Sequence, residues 1–139
     1  MNINHIFNLF NNQSEDDDAS LLIDFSEHPL YWIGGFNKII RNHLFFKNCA
    51  IQMFKDASKE LDVNEVEQVG EDMMFNRAWE YIKYIKLDNT FHTECLRGRI
   101  SLEFYGNLKL TINYFEKLEE YEKCALLKDI ETYIKGFLI

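Results

Sequence analysis

The chain has 139 residues and a mass of 16.6 kDa, the size of one domain or of one domain with a tail. Apolar residues make up 47% and charged residues 27%, which excludes a wholly disordered chain, and no apolar run approaches the roughly 18 residues that cross a bilayer. Fifteen Lys and Arg against 23 Asp and Glu leave a net charge of −8, so phosphate backbones repel the protein and general nucleic-acid binding is disfavoured.

In chain order, Ile3, Ile6, Phe7 and Phe10 follow the i, i+3, i+4, i+7 spacing of a short amphipathic helix. Asn11 to Ser20 is polar and acidic with nothing to bury, and reads as a linker. Residues 1–20 are thus set apart from a single helical domain over 21–139. Leu21–Phe25 and Leu30–Ile33 are short apolar runs, strand-like or irregular, because Pro29 disfavours helix at His28 and Gly34-Gly35 punctuates the far side. Phe36, Ile40, Leu44, Ile51, Phe54 and Leu61 recur near helical spacing, which predicts a helix from about Asn37 to Leu61. Asp62 with Glu65 forms a capping-box pattern for a second helix. That helix runs through Val66 and Val69, pauses at Gly70, and resumes with Phe75, Ala78, Trp79, Ile82 and Ile85 up to Leu87, where Asp88-Asn89 ends it.

Between Arg99 and Tyr114 the pattern fits two structures. Ile100, Leu102 and Phe104, then Leu108, Leu110 and Ile112, alternate with polar residues around Gly106-Asn107, as in a hairpin that pairs Phe104 with Leu108 and Leu102 with Leu110. Ile100, Phe104, Leu108 and Ile112 also lie four apart, as in a helix. Both stay open. The expected fold is mainly α, a single compact helical domain with a C-terminal helical hairpin, the α+β variant with one small β-hairpin being the alternative.

Asn113 to Ile134 carries Tyr121-Glu122-Lys123-Cys124-Ala125 followed by Leu127, Lys128 and Asp129. This stretch resembles the UVR motif, a short helical hairpin of excision-repair and bacterial adaptor proteins with the pattern Tyr-Glu-x-Ala-Ala-x-Leu-Arg-Asp. Glu131 departs from the motif, which has an apolar residue there, and Ile130 is positioned to substitute by rotation. The resemblance covers about a sixth of the chain. It implies an antiparallel helix pair for protein contact, with Tyr121 and Lys128 as contact residues, and no chemistry.

Motifs for catalysis are weak. His92-x-x-Cys95 has metal-ligand spacing and His92-x-Glu94 echoes part of a zinc-deaminase signature, but the further ligands and the Pro-Cys-x-x-Cys element are missing. His5, His28 and His43 keep no fixed spacing to a nucleophile, and neither His43 nor His92 has the Arg four to six residues upstream that helical ribonuclease toxins of the HEPN type carry. No Gly-rich loop ends in Lys-Ser or Lys-Thr. Arg97-Gly98-Arg99 is the tight basic pair, either a phosphate contact or an ordinary surface turn. No catalytic residue, metal or cofactor is assigned; were the protein an enzyme, His92, Glu94 and Arg97 would be the first residues to mutate. Cys49, Cys95 and Cys124, odd in number and far apart, read as buried free thiols of a reducing compartment.

Acid is concentrated in two blocks. Glu15 to Glu27 carries −6, and Asp56 to Asp72 carries −6 from Asp56, Glu60, Asp62, Glu65, Glu67, Glu71 and Asp72 against Lys59. The second block, at a helix junction, is either a solvated face or a phosphate-mimicking surface that enters a basic channel on another protein. Tyr31, Trp32, Phe45, Phe46, Tyr81 and Tyr84 fall where a helix would not bury all of them, and exposed rings anchor protein interfaces.

Asn, Ile, Lys, Phe and Tyr, with A/T-rich codons, supply 57 residues, and Lys outnumbers Arg eleven to four. A low-GC bacterium, or a phage or mobile element living in one, is the expected source. With no basic stretch leading into an apolar one at the amino terminus, the expected location is the cytoplasm of the bacterial host cell. Short, acidic, low-GC and free of motifs, the chain is similar in kind to the small inhibitors that phages carry against bacterial nucleases, the anti-CRISPR proteins among them. That resemblance implies a non-enzymatic, stoichiometric inhibitor whose partner is a CRISPR nuclease or its ribonucleoprotein, with no direct nucleic-acid or membrane binding. The alternatives are an adaptor or small complex subunit using the UVR-like hairpin, and an enzyme whose site has no recognisable motif.

Overall fold

A computed structural model describes residues 26–57 and 63–138, with the backbone alone at 50, 54–57 and 63. The described residues form five helices and no strand: α1 Pro29–Ala57, α2 Val63–Ile82, α3 Thr90–Arg97, α4 Leu102–Lys117 and α5 Tyr121–Lys135. The protein is mainly α. No described helix is long and apolar enough to cross a membrane. The expected helix over 2–10, the linker over 11–20, the run Leu21–Phe25 and the Asp62 cap lie outside the described residues.

Helix α1 starts eight residues earlier than its apolar spacing predicts, and Leu30–Ile33 form its first turns instead of a strand. Pro29 sits at the first helical position, where its missing N–H is no loss and its fixed φ suits the helix. His28, held non-helical by that proline, acts as the cap. Its carbonyl accepts from the N–H groups of Tyr31 and Trp32, and its Nδ1 accepts from Leu30 N–H at 3.1 Å.

Of the glycines that read as breaks, Gly35 and Gly70 are points of close approach inside helices. A Cβ on Gly35 would lie 2.5 Å from the Tyr81 ring, and one on Gly70 would lie 3.1 Å from His43 Cε1. Removing the side chain at those levels lets α1 and α2 pack as an antiparallel pair, with Tyr31 edge-on to Tyr81 and Trp32 against Tyr84. α2 therefore runs unbroken through Gly70. It stops at Ile82, short of Leu87; Ile85 is still buried, but from the following loop. Asn89, expected to end that helix, instead begins α3, a helix the sequence reading left unassigned: its Oδ1 accepts from Phe91 N–H at 2.9 Å and His92 N–H at 3.3 Å.

Of Arg99–Tyr114, the part from Leu102 onward is helix, and Arg99 to Ser101 form the connection that precedes it. Ser101 caps α4, its Oγ accepting from Phe104 N–H at 3.0 Å, and Phe104, Leu108, Ile112 and Phe115 are all buried on one side. Leu102 and Leu110, which a hairpin would have paired inside, face solvent. α4 turns into α5 through a Schellman motif. Glu120 N–H reaches Phe115 O and Glu119 N–H reaches Glu116 O, both at 3.0 Å, with Glu119 at φ 60°. The two helices make the expected C-terminal hairpin, with Cys124, Leu127, Ile130 and Ile134 buried along α5.

The core gathers Ile33, Phe36 and Ile40 of α1, Ala78 and Ile82 of α2, Leu96 of α3, and the inner faces of α4 and α5. Phe36 meets Phe104 edge-on and Phe75 stacks on Tyr114 at 4.5 Å. The buried amide of Asn107 donates to Asn37 Oδ1 at 2.9 Å, and Thr111 Oγ1 donates to Asn107 O, so the polar groups under α4 are paired.

Candidate protein-binding surface

Core packing ends at Ile40 on α1 and begins at Met74 on α2. From Asn42 to Met53 and from Asn64 to Met73, no described side chain is buried. The two helices continue past the core as an arm held mainly by each other. At its base Arg41 bonds Glu103 of α4 through Nε and Nη2, and Tyr114 of α4 donates its hydroxyl to Asp72 at 2.5 Å. Burial first, then Asp72, raises the Tyr114 pKa above the usual tyrosine range. Further out, Lys47 reaches Glu67 at 2.7 Å and Glu71 at 3.4 Å, and the hydrogen bond to Glu67 raises the lysine pKa.

This arm is rich in apolar side chains turned to water. Phe45, Phe46 and Met53 of α1 are 73%, 70% and 71% exposed, and Val69 and Met73 of α2 are also exposed. Phe46, Cys49 and Met53 follow helical spacing along one exposed stripe of α1, while His43 approaches Gly70 and Lys47 reaches Glu67 on α2. Each of these side chains leaves most of its apolar surface in water, where covering it would be favourable. Phe45 and Phe46 also line an open cleft of about 580 Å³ with Arg41, Asn42 and His43.

The acidic block is only partly a free face. Glu67 and Glu71 are engaged by Lys47, and Asp72 accepts from Tyr114 and from Gln68 Nε2 at 3.1 Å. Glu65 is exposed and makes no ion pair among the described residues. Glu60, Asp62 and the side chain of Asp56 lie outside them. On α5, Tyr121 is exposed beside Leu118 at the hairpin turn, while Lys128 pairs with Glu116 at 2.7 Å across the hairpin. The described carboxylates of the acidic block are carried by α2, and Tyr121 and Lys128 by α5, with Glu71 lining one cleft together with Tyr114 and Leu118 of the hairpin.

The residues with possible chemistry are bound into the fold. His92 Nδ1 accepts from Lys86 N–H at 2.9 Å, and its ring meets Trp32 edge-on. Cys95 is buried, which raises its thiol pKa, and Arg97 lies over the Phe137 ring at 5.5 Å. Among the described residues, no three His, Cys, Asp or Glu side chains gather as a metal site. Cys124 is buried as expected, whereas Cys49 is exposed on the outer face of the arm, because that turn of α1 lies beyond the core.

Of the six rings noted in the sequence, Phe45, Phe46 and Tyr84 are exposed, Trp32 is buried, and Tyr31 and Tyr81 cover each other. Met53, Val69 and Met73 were missed. Their signal was present, since Val66, Val69 and Met73 fall at i, i+3 and i+7, but the same stripe describes a core-facing helix. Comparison with family models, with characterised proteins and with solved structures finds no match to the chain.

Proposed function

We propose that the protein acts by binding another protein, as a stoichiometric and non-enzymatic inhibitor of a CRISPR effector or a similar nucleic-acid-targeting nuclease. The observation that carries the protein-binding part is the exposed apolar face of the α1–α2 arm, anchored by Phe45, Phe46 and Met53. Aromatic and methionine side chains in that number suit the centre of an interface. The sequence adds acid at Asp56, Glu60 and Asp62 and at the exposed Glu65, which favours a partner whose docking site combines apolar and basic groups. Nucleic-acid channels of nucleases have such basic groups, and the net charge of −8 would speed the encounter. The internal pairing of Glu67, Glu71 and Asp72 moves the weight of binding from charge mimicry to the apolar anchors.

Titrating purified protein into a guided nuclease tests the reading. Activity should vanish near a one-to-one ratio. The double variant Phe45→Ser/Phe46→Ser should weaken inhibition at least about a hundredfold, as for two interface anchors, while its melting temperature stays within a few degrees. Inhibition undiminished by that variant would remove the arm from the interface. A fluorophore on Cys49, between the anchors, gives an independent report of docking. The adaptor reading draws on the exposed Leu118 and Tyr121 at the hairpin turn. It predicts assembly with a partner and no loss of that partner's activity.

A further inference from the structure

A second surface lies away from the arm's apolar face. A groove of about 500 Å³ runs between α1 and the segment that joins α3 to α4. Half-buried Leu30 and Ile100 provide apolar surface, and Lys38, Arg41 and Arg99 bring three cations to its walls. In a chain with 23 carboxylates, Lys38 and Arg99 meet none of them among the described residues, and Arg41 shares Glu103 at the rim.

Gly34 adds an independent observation. It is exposed, lines the groove, and lies inside α1, where glycine weakens a helix. A Cβ placed on it meets nothing within 4 Å among the described residues, so their packing gives no reason for the missing side chain; Gly35, beside it, does have one in Tyr81. An open glycine between cations lets an incoming backbone lie close to the helix.

We infer that this groove binds a short acidic segment of a partner protein, its carboxylates set against Lys38 and Arg99 and its apolar side chains against Leu30 and Ile100. A nucleic-acid strand suits the groove less, because a phosphate backbone needs a continuous basic track and the protein as a whole repels it. The inference does not rest on the arm: the two surfaces share only Arg41 at their edges.

The test is an array of immobilised short peptides graded in Glu/Asp and Leu content, probed with the full-length protein, with single-stranded oligonucleotides in parallel. Peptides both acidic and apolar should bind in order of their carboxylate number, more weakly as salt is added. Lys38→Glu and Arg99→Glu should each weaken that binding by roughly tenfold or more, with Lys109→Glu on the outer face of α4 as the control that leaves it unchanged. Gly34→Leu should block binding while circular dichroism shows the helices intact, which separates a filled groove from a failed fold. Equal binding of neutral peptides, oligonucleotides bound in preference to peptides, or affinity that survives both charge reversals would overturn the assignment.

Discussion

Two adjacent glycines show how single positions take opposite roles in one helix. At Gly35 the ring of Tyr81 occupies the place of a side chain, so Gly35→Ala should destabilise by about 1–3 kcal/mol through overpacking. At Gly34 that space is open, and Gly34→Ala should stabilise by about 1 kcal/mol through helix propensity alone. Denaturant melts of the two variants should move in opposite directions. Glu119 presents the reverse case, a residue with a side chain where glycine belongs. It holds φ 60° at the αL position that ends α4, so Glu119→Gly should gain about 0.5–1 kcal/mol, after subtracting the extra freedom glycine has when unfolded. A lower unfolding midpoint for that variant would mean that the Glu119 side chain makes a stabilising contact of its own.

Among the elements, α1 and α2 each divide into a half that builds the core and a half that leaves it. Ile33, Phe36 and Ile40 are buried where α2, α3 and α4 meet α1, whereas Leu44, Phe45 and Phe46, one turn further, are exposed. The outer halves keep their backbone hydrogen bonds but bury no described side chain, so they should open locally without global unfolding. Native-state hydrogen exchange should show amides of 44–57 and 63–70 protected at least about tenfold less than those of 104–115 and 124–134. A bound partner should raise protection on the arm first. Uniform protection across the molecule would show that the arm opens only with the core.

At the level of the whole molecule, stability should depend on pH through two histidines. Burial lowers the pKa of His43, whose Nε2 is enclosed without a partner, and Lys47 adds to the effect. Burial likewise lowers that of His92, whose Nδ1 must stay unprotonated to accept from Lys86 N–H. In each case the unfolded chain binds the proton more readily than the folded one. Stability is therefore fully present above the unfolded value of about 6.5 and falls as pH drops through the folded values. The melting temperature should be level above about pH 7 and decline as the pH falls below about 6.5. The double variant His43→Gln/His92→Gln should flatten that decline; a decline of the same slope would place the proton uptake elsewhere.

Spacing by itself determined the helical class and the inward positions of Phe36 and Ile40, because such features follow from local periodicity, and it left Phe104, Leu108 and Ile112 open between helix and β-hairpin. Other features depend on what stands opposite a residue, and one strand of sequence does not carry that. Gly35 and Gly70 became contacts because Tyr81 and His43 face them, and Pro29 opened a helix because His28 caps it. Lys47 and Tyr114 took up Glu67, Glu71 and Asp72, carboxylates that read as free in the sequence. The same holds for the candidate binding face. An apolar stripe states that a side must be covered; only the packing of the other helices against the inner halves of α1 and α2 decided that Phe45, Phe46 and Met53 are left outside the chain's own core.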